Sequence, residues 1–409
     1  MVIVVVFWRR YYWHNNICNN WNDSEEIIPT DLRNINRREN IEEMNILYIA
    51  PTINEEISGG VLVRQINYQV LKEYPGNFYA YSVNVRQSRL VKAISTFLSY
   101  KNGLNWSHIK NILKIINDRK ISVVFCDTSL YGILQKKINR RYPDIRIISF
   151  FHNCEYKLYN DCYMHYPSII RYFLLRSVSI NEKYTLNYSS VNIFMPQRDV
   201  QLCQEYYGVD KINVIYSPMV LNDKYITSEI DGSYQLHIPE KLLFVGSYFL
   251  PNINGLLWFE KNVLPYIDYI LIIVGKGFND EQFLSKLRTK DKIIVRGFVD
   301  DITEEYKNAD IVIQPVFDGA GMKTKTAECF MFGKTLVSSS EGLVGYDVEG
   351  QKNIYRCDSA GEYIDTLRKL KREGVYKFNP EIRKLYLEKY STESRRKVFF
   401  SLLQKMEKQ

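Results

Sequence analysis

Residues 314–341, QPVFDGAGMKTKTAECFMFGKTLVSSSE, constrain the fold of this chain more than any other stretch. The apolar run 311–316 reads as a buried strand. A loop, Asp318-Gly319-Ala320-Gly321, follows it, and then a helical stretch over 324–332. Gly333 suits the left-handed position that closes a helix, and 335–338 reads as the next strand. Strand, glycine loop and helix N-terminus in succession is how a parallel α/β domain presents backbone N–H groups to an anion. Lys323 and Lys325 stand at the start of that helix, where the macrodipole already places positive partial charge. Uncompensated cations there cost roughly 0.3–1 kcal/mol each. Lys325 also precedes Glu328 by three residues, the weaker order for a helical ion pair. A bound diphosphate turns both penalties into stabilisation; two solvated, tolerated lysines are the alternative reading of the same charges.

The pattern recurs along the chain. Apolar runs at 46–50, 121–126, 145–151, 191–195 and 212–215 predict the strands of a first domain. Those at 242–245, 269–274 and 292–296 predict a second with 311–316 and 335–338. The chain of 409 residues is long enough for two such domains, each with its own core. Helical spacing follows the first strand, with Val63, Ile66, Val70 and Tyr74 on one side. Helical patterns are also predicted at 199–207, 254–263, 302–308, 360–373 and 392–408, and residues 166–188 hold two, rich in aromatics with Arg171 and Arg176. In residues 90–101, LVKAISTFLSYK, one face carries Leu90, Val91, Ile94, Phe97 and Leu98. A core-packed helix is the expected reading of that stripe, an interfacial membrane helix the alternative.

Ligand-facing positions in such folds lie at the C-terminal ends of strands. Asp127 and His152 stand there, with Glu155 three residues on, as do Gly246-Ser247 and Gly297-Phe298-Val299. Gly59-Gly60 sits between a strand and a helix, where backbone approaches a phosphate closely. It is not a dinucleotide fingerprint, since no G-x-G-x-x-G is present, and Gly333-Lys334-Thr335 follows a helix rather than opening one, so it is not a Walker motif.

Seven cysteines, without a C-x-x-C pair, speak against a disulfide framework or a zinc site and for a reducing, cytoplasmic setting. The net charge of +8 is uneven: residues 86–183 hold 17 Lys/Arg against 6 Asp/Glu. An anionic membrane surface or a phosphate-bearing substrate fits that excess; no nucleic-acid module is recognisable. No apolar run approaches the ~20 residues of a bilayer span. Residues 1–43 lack periodicity and are expected to be a disordered or non-native extension, with Met44 of MNILYIAP as the true start.

G-x-G-x-K-x-K-x-x-E, followed by a helix and G-K-x-x-V-S, resembles the donor-site signature of family 4 glycosyltransferases of the GT-B fold. FFHNCEY and FVGSYFLPNINGLLWF resemble further segments of that family, and the likeness covers about 44–409, specific in the second domain and looser in the first. It implies two Rossmann-like β/α/β domains facing a central cleft: an acceptor-binding domain over 44–220, a linker over 221–240 and a donor-binding domain over 241–390. A final helix, 391–409, would cross back to the first domain. It implies that Glu328 holds the ribose hydroxyls of a nucleotide-sugar, with Lys323 and Lys325 near its phosphates and His152 near the reacting carbon. Gly59, Gly60, Gly246, Ser247, Gly297, Phe298, Val299, Gly319, Ala320, Gly321 and Met322 would line the donor, and Asp127 and Glu155 are acceptor-side candidates.

The expected activity is retaining transfer, without metal or cofactor, from a nucleoside-diphosphate-sugar to a glycan or lipid-diphosphate-linked acceptor in surface polysaccharide biosynthesis. The protein would be cytoplasmic and peripheral at the inner membrane face. Two departures stand out. Ala320 replaces a Glu found in many relatives, and Ser247 replaces a basic residue. The alternatives are a silent GT-B scaffold of an assembly complex and a GT-B epimerase or hydrolase.

Overall fold

The computed structural model describes residues 44–52, 59–84, 94–209, 212–225, 235–319 and 321–408. The expected N-terminal extension and Ala320 lie outside the described residues, as do residues 90–93 of the apolar stripe and 226–234 of the expected linker. Two six-stranded sheets organise the rest. The first contains β1 (Asn45–Pro51), β2 (Asn77–Val83), β3 (Val123–Cys126), β4 (Arg146–Phe151), β5 (Val191–Phe194) and β6 (Val214–Tyr216), in the order β2-β1-β3-β4-β5-β6. The second contains β7 (Lys241–Val245), β8 (Ile270–Val274), β9 (Ile293–Gly297), β10 (Ile311–Gln314), β11 (Thr335–Ser338) and β12 (Ile354–Arg356), in the order β9-β8-β7-β10-β11-β12. All pairings within both sheets are parallel.

The central strands explain this arrangement. VVFC, VNIF, IVIQ and TLVS are buried at every position, as strands covered by helices on both faces must be. In the second sheet the order reverses between β7 and β10, which opens a crevice at their carboxyl ends. Gln314, the polar residue of β10, ties that strand to the next helix by accepting from the Thr326 hydroxyl at 2.7 Å. Gly255 lets the helix Leu250–Asn262 press on the loop after β10: a Cβ there would stand 1.7 Å from the Pro315 carbonyl oxygen.

Beyond the second sheet the chain turns back. Helix Pro380–Leu385 runs into a single π-helical turn, Tyr386–Tyr390, and Ser391 caps the helix Thr392–Glu407. This helix lies on the first domain. Phe399 meets Phe125 at 5.4 Å, Phe400 meets Tyr74 at 5.0 Å, and Arg395 is fully buried.

Two expectations are corrected. The 90–101 stripe is not core in its described part: Ile94, Phe97 and Leu98 are 51%, 65% and 54% exposed. The aromatic segment 166–188 is also not a pair of helices, because one helix ends earlier, at Glu155–His165, and a single one spans Ile169–Tyr188. Pro167 between them breaks the run and leaves Ser168 to cap the second. Strands β2 and β12 and helices Trp106–Asp118 and Gly132–Arg141 go beyond the sequence expectations.

Candidate active site

The carboxyl ends of the two sheets meet in one cleft, and the helix Thr324–Met331 forms its second-domain wall. That helix begins at Lys323 without a side-chain cap and without an acidic residue in its first turn. The N–H groups of Thr324 and Lys325 at its start can therefore face an anion, while that of Thr326 donates to the Lys323 carbonyl at 3.0 Å. The helix Gly59–Lys72, equally without an acid in its first turn, faces it from the first domain. A Cβ on Gly59 would stand 3.0 Å from the Thr324 methyl, so two helix N-termini approach each other across the cleft. The Gly60 carbonyl accepts from Arg64 Nε at 3.3 Å.

Gly321 makes the second crossing contact. Its φ of +64° is left-handed, and a Cβ there would lie 2.2 Å from Asn153 Oδ1. Glycine is required on both grounds. Met322 is buried beside it, its sulfur accepting from the Met219 N–H of the first domain at 3.2 Å. Gly319, with φ +134°, lies against the Lys323 side chain.

The two lysines have different surroundings. Lys323 donates to Glu341 Oε1 at 2.8 Å and to the Gly321 carbonyl at 3.0 Å. Glu341 also accepts from Arg198 of the first domain at 2.9 Å, so one carboxylate joins cations from both domains. Burial pushes the Lys323 ammonium down, and the Glu341 bond partly offsets this. Lys325 is buried, 4.5 Å above the Phe244 ring, and donates to Asn252 Oδ1 at 2.6 Å. Burial first, and then the charge of Lys323, bring it from 10.5 to about 7. Asn252 in turn donates to the Ser247 carbonyl at 2.8 Å, and its amide fills the space beside Gly246. Ser247 itself is exposed.

Glu328, one turn further along, accepts from the Tyr306 hydroxyl at 3.0 Å, and burial raises its carboxyl. At the end of β9, Gly297 turns the chain with φ +69°. Phe298 is 65% exposed, and Val299 packs partly on the core.

On the opposite wall, His152 Nε2 lies 2.7 Å from Asp127 Oδ1. A carboxylate only accepts, so this nitrogen carries the proton. Asp127 also accepts from the Tyr48 hydroxyl at 2.6 Å and from Asn67 Nδ2 at 3.1 Å. Burial opposes its charge, yet the His152 ring and the bonds from His152 and Tyr48 hold its carboxyl below the usual range. Arg395 donates to Asn67 Oδ1 and, at 2.5 Å, to the Pro218 carbonyl, which extends the network to the crossing helix. His152 Nδ1 is buried without a partner among the described residues.

Asp127 is thereby corrected as an acceptor-side candidate. It is fully buried, and its carboxylate serves His152 rather than solvent. Glu155 lies beside Asn153 and His152, and burial raises its carboxyl. Its N–H donates to Glu182 at 3.0 Å. Cys154, Cys203 and Glu182 bring three ligand-type atoms within 4.8 Å of one another. The Glu182 carboxylate, however, already accepts from Ser129, Tyr207 and the N–H groups of Glu155 and Tyr156. Those four donors take up its lone pairs, so the group is a hydrogen-bonded cap on helix Glu155–His165.

Residues of this site that go beyond the sequence expectations include Asn252, Tyr306, Glu341, Arg198, Tyr48, Asn67 and Arg395. Asn252 and Glu341 had a local signal, in the PNINGLLWF segment and at the end of the 314–341 run already singled out.

Residues 239–372 match the family model "Glycosyl transferases group 1". An uncharacterized 44.6 kDa protein in the cps region of Klebsiella pneumoniae is 30% identical over 116 residues. That match spans 25% of this chain and 30% of the relative, less than a third of its length. Among solved structures, the lipopolysaccharide outer core galactosyltransferase WaaB aligns over 88% of this chain and 99% of its own, at 12% identity and TM-score 0.58. A sucrose-phosphate synthase from Thermosynechococcus elongatus aligns over 88% and 99%, at 10% identity and TM-score 0.62. Anabaena HepE in complex with UDP aligns over 88% and 100%, at 11% identity and TM-score 0.59. At these identities the likeness is one of fold.

Proposed function

The chain has the GT-B fold and carries a Glycosyl transferases group 1 segment, and from that premise we propose that it is a glycosyltransferase of surface polysaccharide biosynthesis. It takes a nucleoside-diphosphate-sugar as donor and a glycan or lipid-diphosphate-linked glycan as acceptor. The observation that carries this reading is the meeting of two helix N-termini at Gly59 and Thr324, neither with an acid in its first turn, with Lys323 and Lys325 beside them. A departing diphosphate gains charge as the bond to the anomeric carbon breaks. Fixed N–H dipoles and lysines in a water-poor cleft stabilise that charge without reorganising.

In this reading the lysines and helix ends supply the charge that a metal ion supplies elsewhere. Glu328, held by Tyr306, takes the ribose hydroxyls, and Phe298 and Val299 border the base. The acceptor oxygen bonds the anomeric carbon on the face the diphosphate leaves, with retention, and its proton passes to the departing phosphate oxygen. His152, oriented by Asp127, offers Nδ1 to the donor sugar. The protein works on the cytoplasmic side of a membrane that carries its acceptor.

Anabaena HepE was solved with UDP, which makes UDP-sugars the first donors to test. In a thermal-shift screen of UDP-, GDP- and ADP-sugars, one base class is expected to stabilise the wild type. Glu328→Ala is expected to lose most of that shift. Its unliganded melting should change little, because the Tyr306 hydroxyl retains the Lys325 carbonyl at 3.5 Å. Equal shifts in both proteins, or none with any nucleotide, would overturn the assignment.

A further inference from the structure

Three neighbouring segments of the first domain leave large apolar side chains in solvent. Ile94, Phe97 and Leu98 are more than half exposed, as are Met164, Tyr166, Ile169 and Ile170. Ring contacts join the segments: Phe97 to Phe173 at 5.9 Å, Phe173 to Tyr172 at 5.7 Å, and Tyr172 to Tyr163 at 6.3 Å. Asn181 of helix Ile169–Tyr188 ties down the first segment by donating to the Ser99 carbonyl at 2.6 Å. Helix Glu155–His165 has no fully buried residue. Single exposed apolar residues are ordinary, but a contiguous face of them marks a surface that something else covers.

Charge identifies the cover. Arg171 is held over the Tyr166 ring at 5.5 Å and donates to its backbone carbonyl. Arg176 is exposed one turn beyond Tyr172. Of the acids nearby, Asp161 is paired with Lys157, and Glu155 and Glu182 belong to the cleft and its cap. Aromatic and aliphatic side chains among basic ones are the composition of a surface that lies in a membrane interface. Among the described residues no helix is long and apolar enough to cross a bilayer. Helix Glu155–His165 also starts three residues after His152, so the face runs outward from the acceptor side of the cleft.

We propose that this face, Ile94–Leu98 with Met164–Phe173, docks the protein on an anionic phospholipid surface and presents the cleft to a membrane-held acceptor. The inference rests on the proposed activity only for the identity of that acceptor; the surface stands on exposure and charge, and its test needs no turnover.

The full chain is to be co-sedimented with phosphatidylcholine vesicles, with and without phosphatidylglycerol, at low and high salt. Binding is expected only to the anionic vesicles and is weakened by salt. Arg171→Ala and Arg176→Ala should each lower partitioning about fivefold. Phe97→Ser with Ile170→Ser should lower it at least about tenfold. The nucleotide-induced thermal shift should persist in all these variants, which separates failure of the surface from failure of the donor site. Equal binding to neutral and anionic vesicles, or variants that bind like the wild type, would overturn the proposal. So would a concentration-dependent dimer abolished by the double serine variant, with no vesicle binding, which would assign the face to a second copy.

Discussion

Lys325 sets stability against ligand binding, and Lys325→Met should separate the two. A lysine moved from 10.5 in the unfolded chain to about 7 in the fold holds its charge at a cost of roughly 5 kcal/mol. Methionine is of similar length and packs well on Phe244, but it leaves Asn252 Oδ1 without its donor, which takes back roughly 1–3 kcal/mol. Below about pH 7 the variant should therefore be more stable than the wild type, by on the order of 3 kcal/mol. The sign with pH follows from proton counts. Between about 7 and 10.5 the folded lysine is neutral while the unfolded one still binds a proton, so wild-type stability rises with pH and the advantage of the variant shrinks. Urea midpoints of both proteins from pH 6 to 10 read this directly. Meanwhile the variant should lose the UDP-induced thermal shift. Calorimetry of UDP binding to the wild type, in buffers of different ionisation enthalpy, should show uptake of roughly half a proton near pH 7 as the diphosphate recharges the lysine. A variant less stable than the wild type at low pH, with a gap that does not move between 7 and 10, would refute the reasoning. So would UDP binding with no proton uptake.

Asp127→Asn should lower kcat at least about tenfold while leaving the nucleotide thermal shift in place, because the amide no longer fixes which His152 nitrogen carries the proton. An unchanged kcat would remove Asp127 from the mechanism. Gly321→Ala should cost about 1–2 kcal/mol from its left-handed backbone alone, and nucleotide affinity should fall further as the new Cβ displaces Asn153; melting curves and UDP titration measure the two effects. Asp310 accepts from His237, Lys377 and the N–H groups of Glu240 and Lys241. Burial opposes its charge, but these partners, Lys377 foremost, bring its carboxyl to about 2. That stability is complete above about pH 4 and lost as pH falls towards 2, so Asp310→Asn should cost about 2 kcal/mol at neutral pH and progressively less in acid, by urea midpoints.

What was legible in the chain was what lies close along it. The run 311–338 announces strand, loop, helix and strand because each feature has a local signature, and Gly333 takes its left-handed φ of +59° where the helix closes. Helix Trp106–Asp118 carries Ile109, Ile112 and Ile116 at helical spacing, a signal as plain as those used elsewhere. Strand β2, NFYAYSV, is different: it lies at the sheet edge, half-buried, and its tyrosines blur the alternation. Long-range pairs leave no pattern at all. Arg395 and Asn67 are 328 residues apart, and Lys325 and Asn252 are 73. The 94–98 stripe shows a third kind of limit: periodicity says which side chains share a face, not what covers it.

The crossing helix has a consequence for how the protein is made. The His152–Asp127–Asn67 chain is completed by Arg395, and Phe399 closes the layer over Phe125 and Phe150. Synthesis proceeds from the amino end, so the first domain leaves the ribosome with its histidine pair unbraced. The brace arrives only after the entire second domain has been translated. A nascent chain halted just before that helix holds every donor-side residue and still lacks a finished centre.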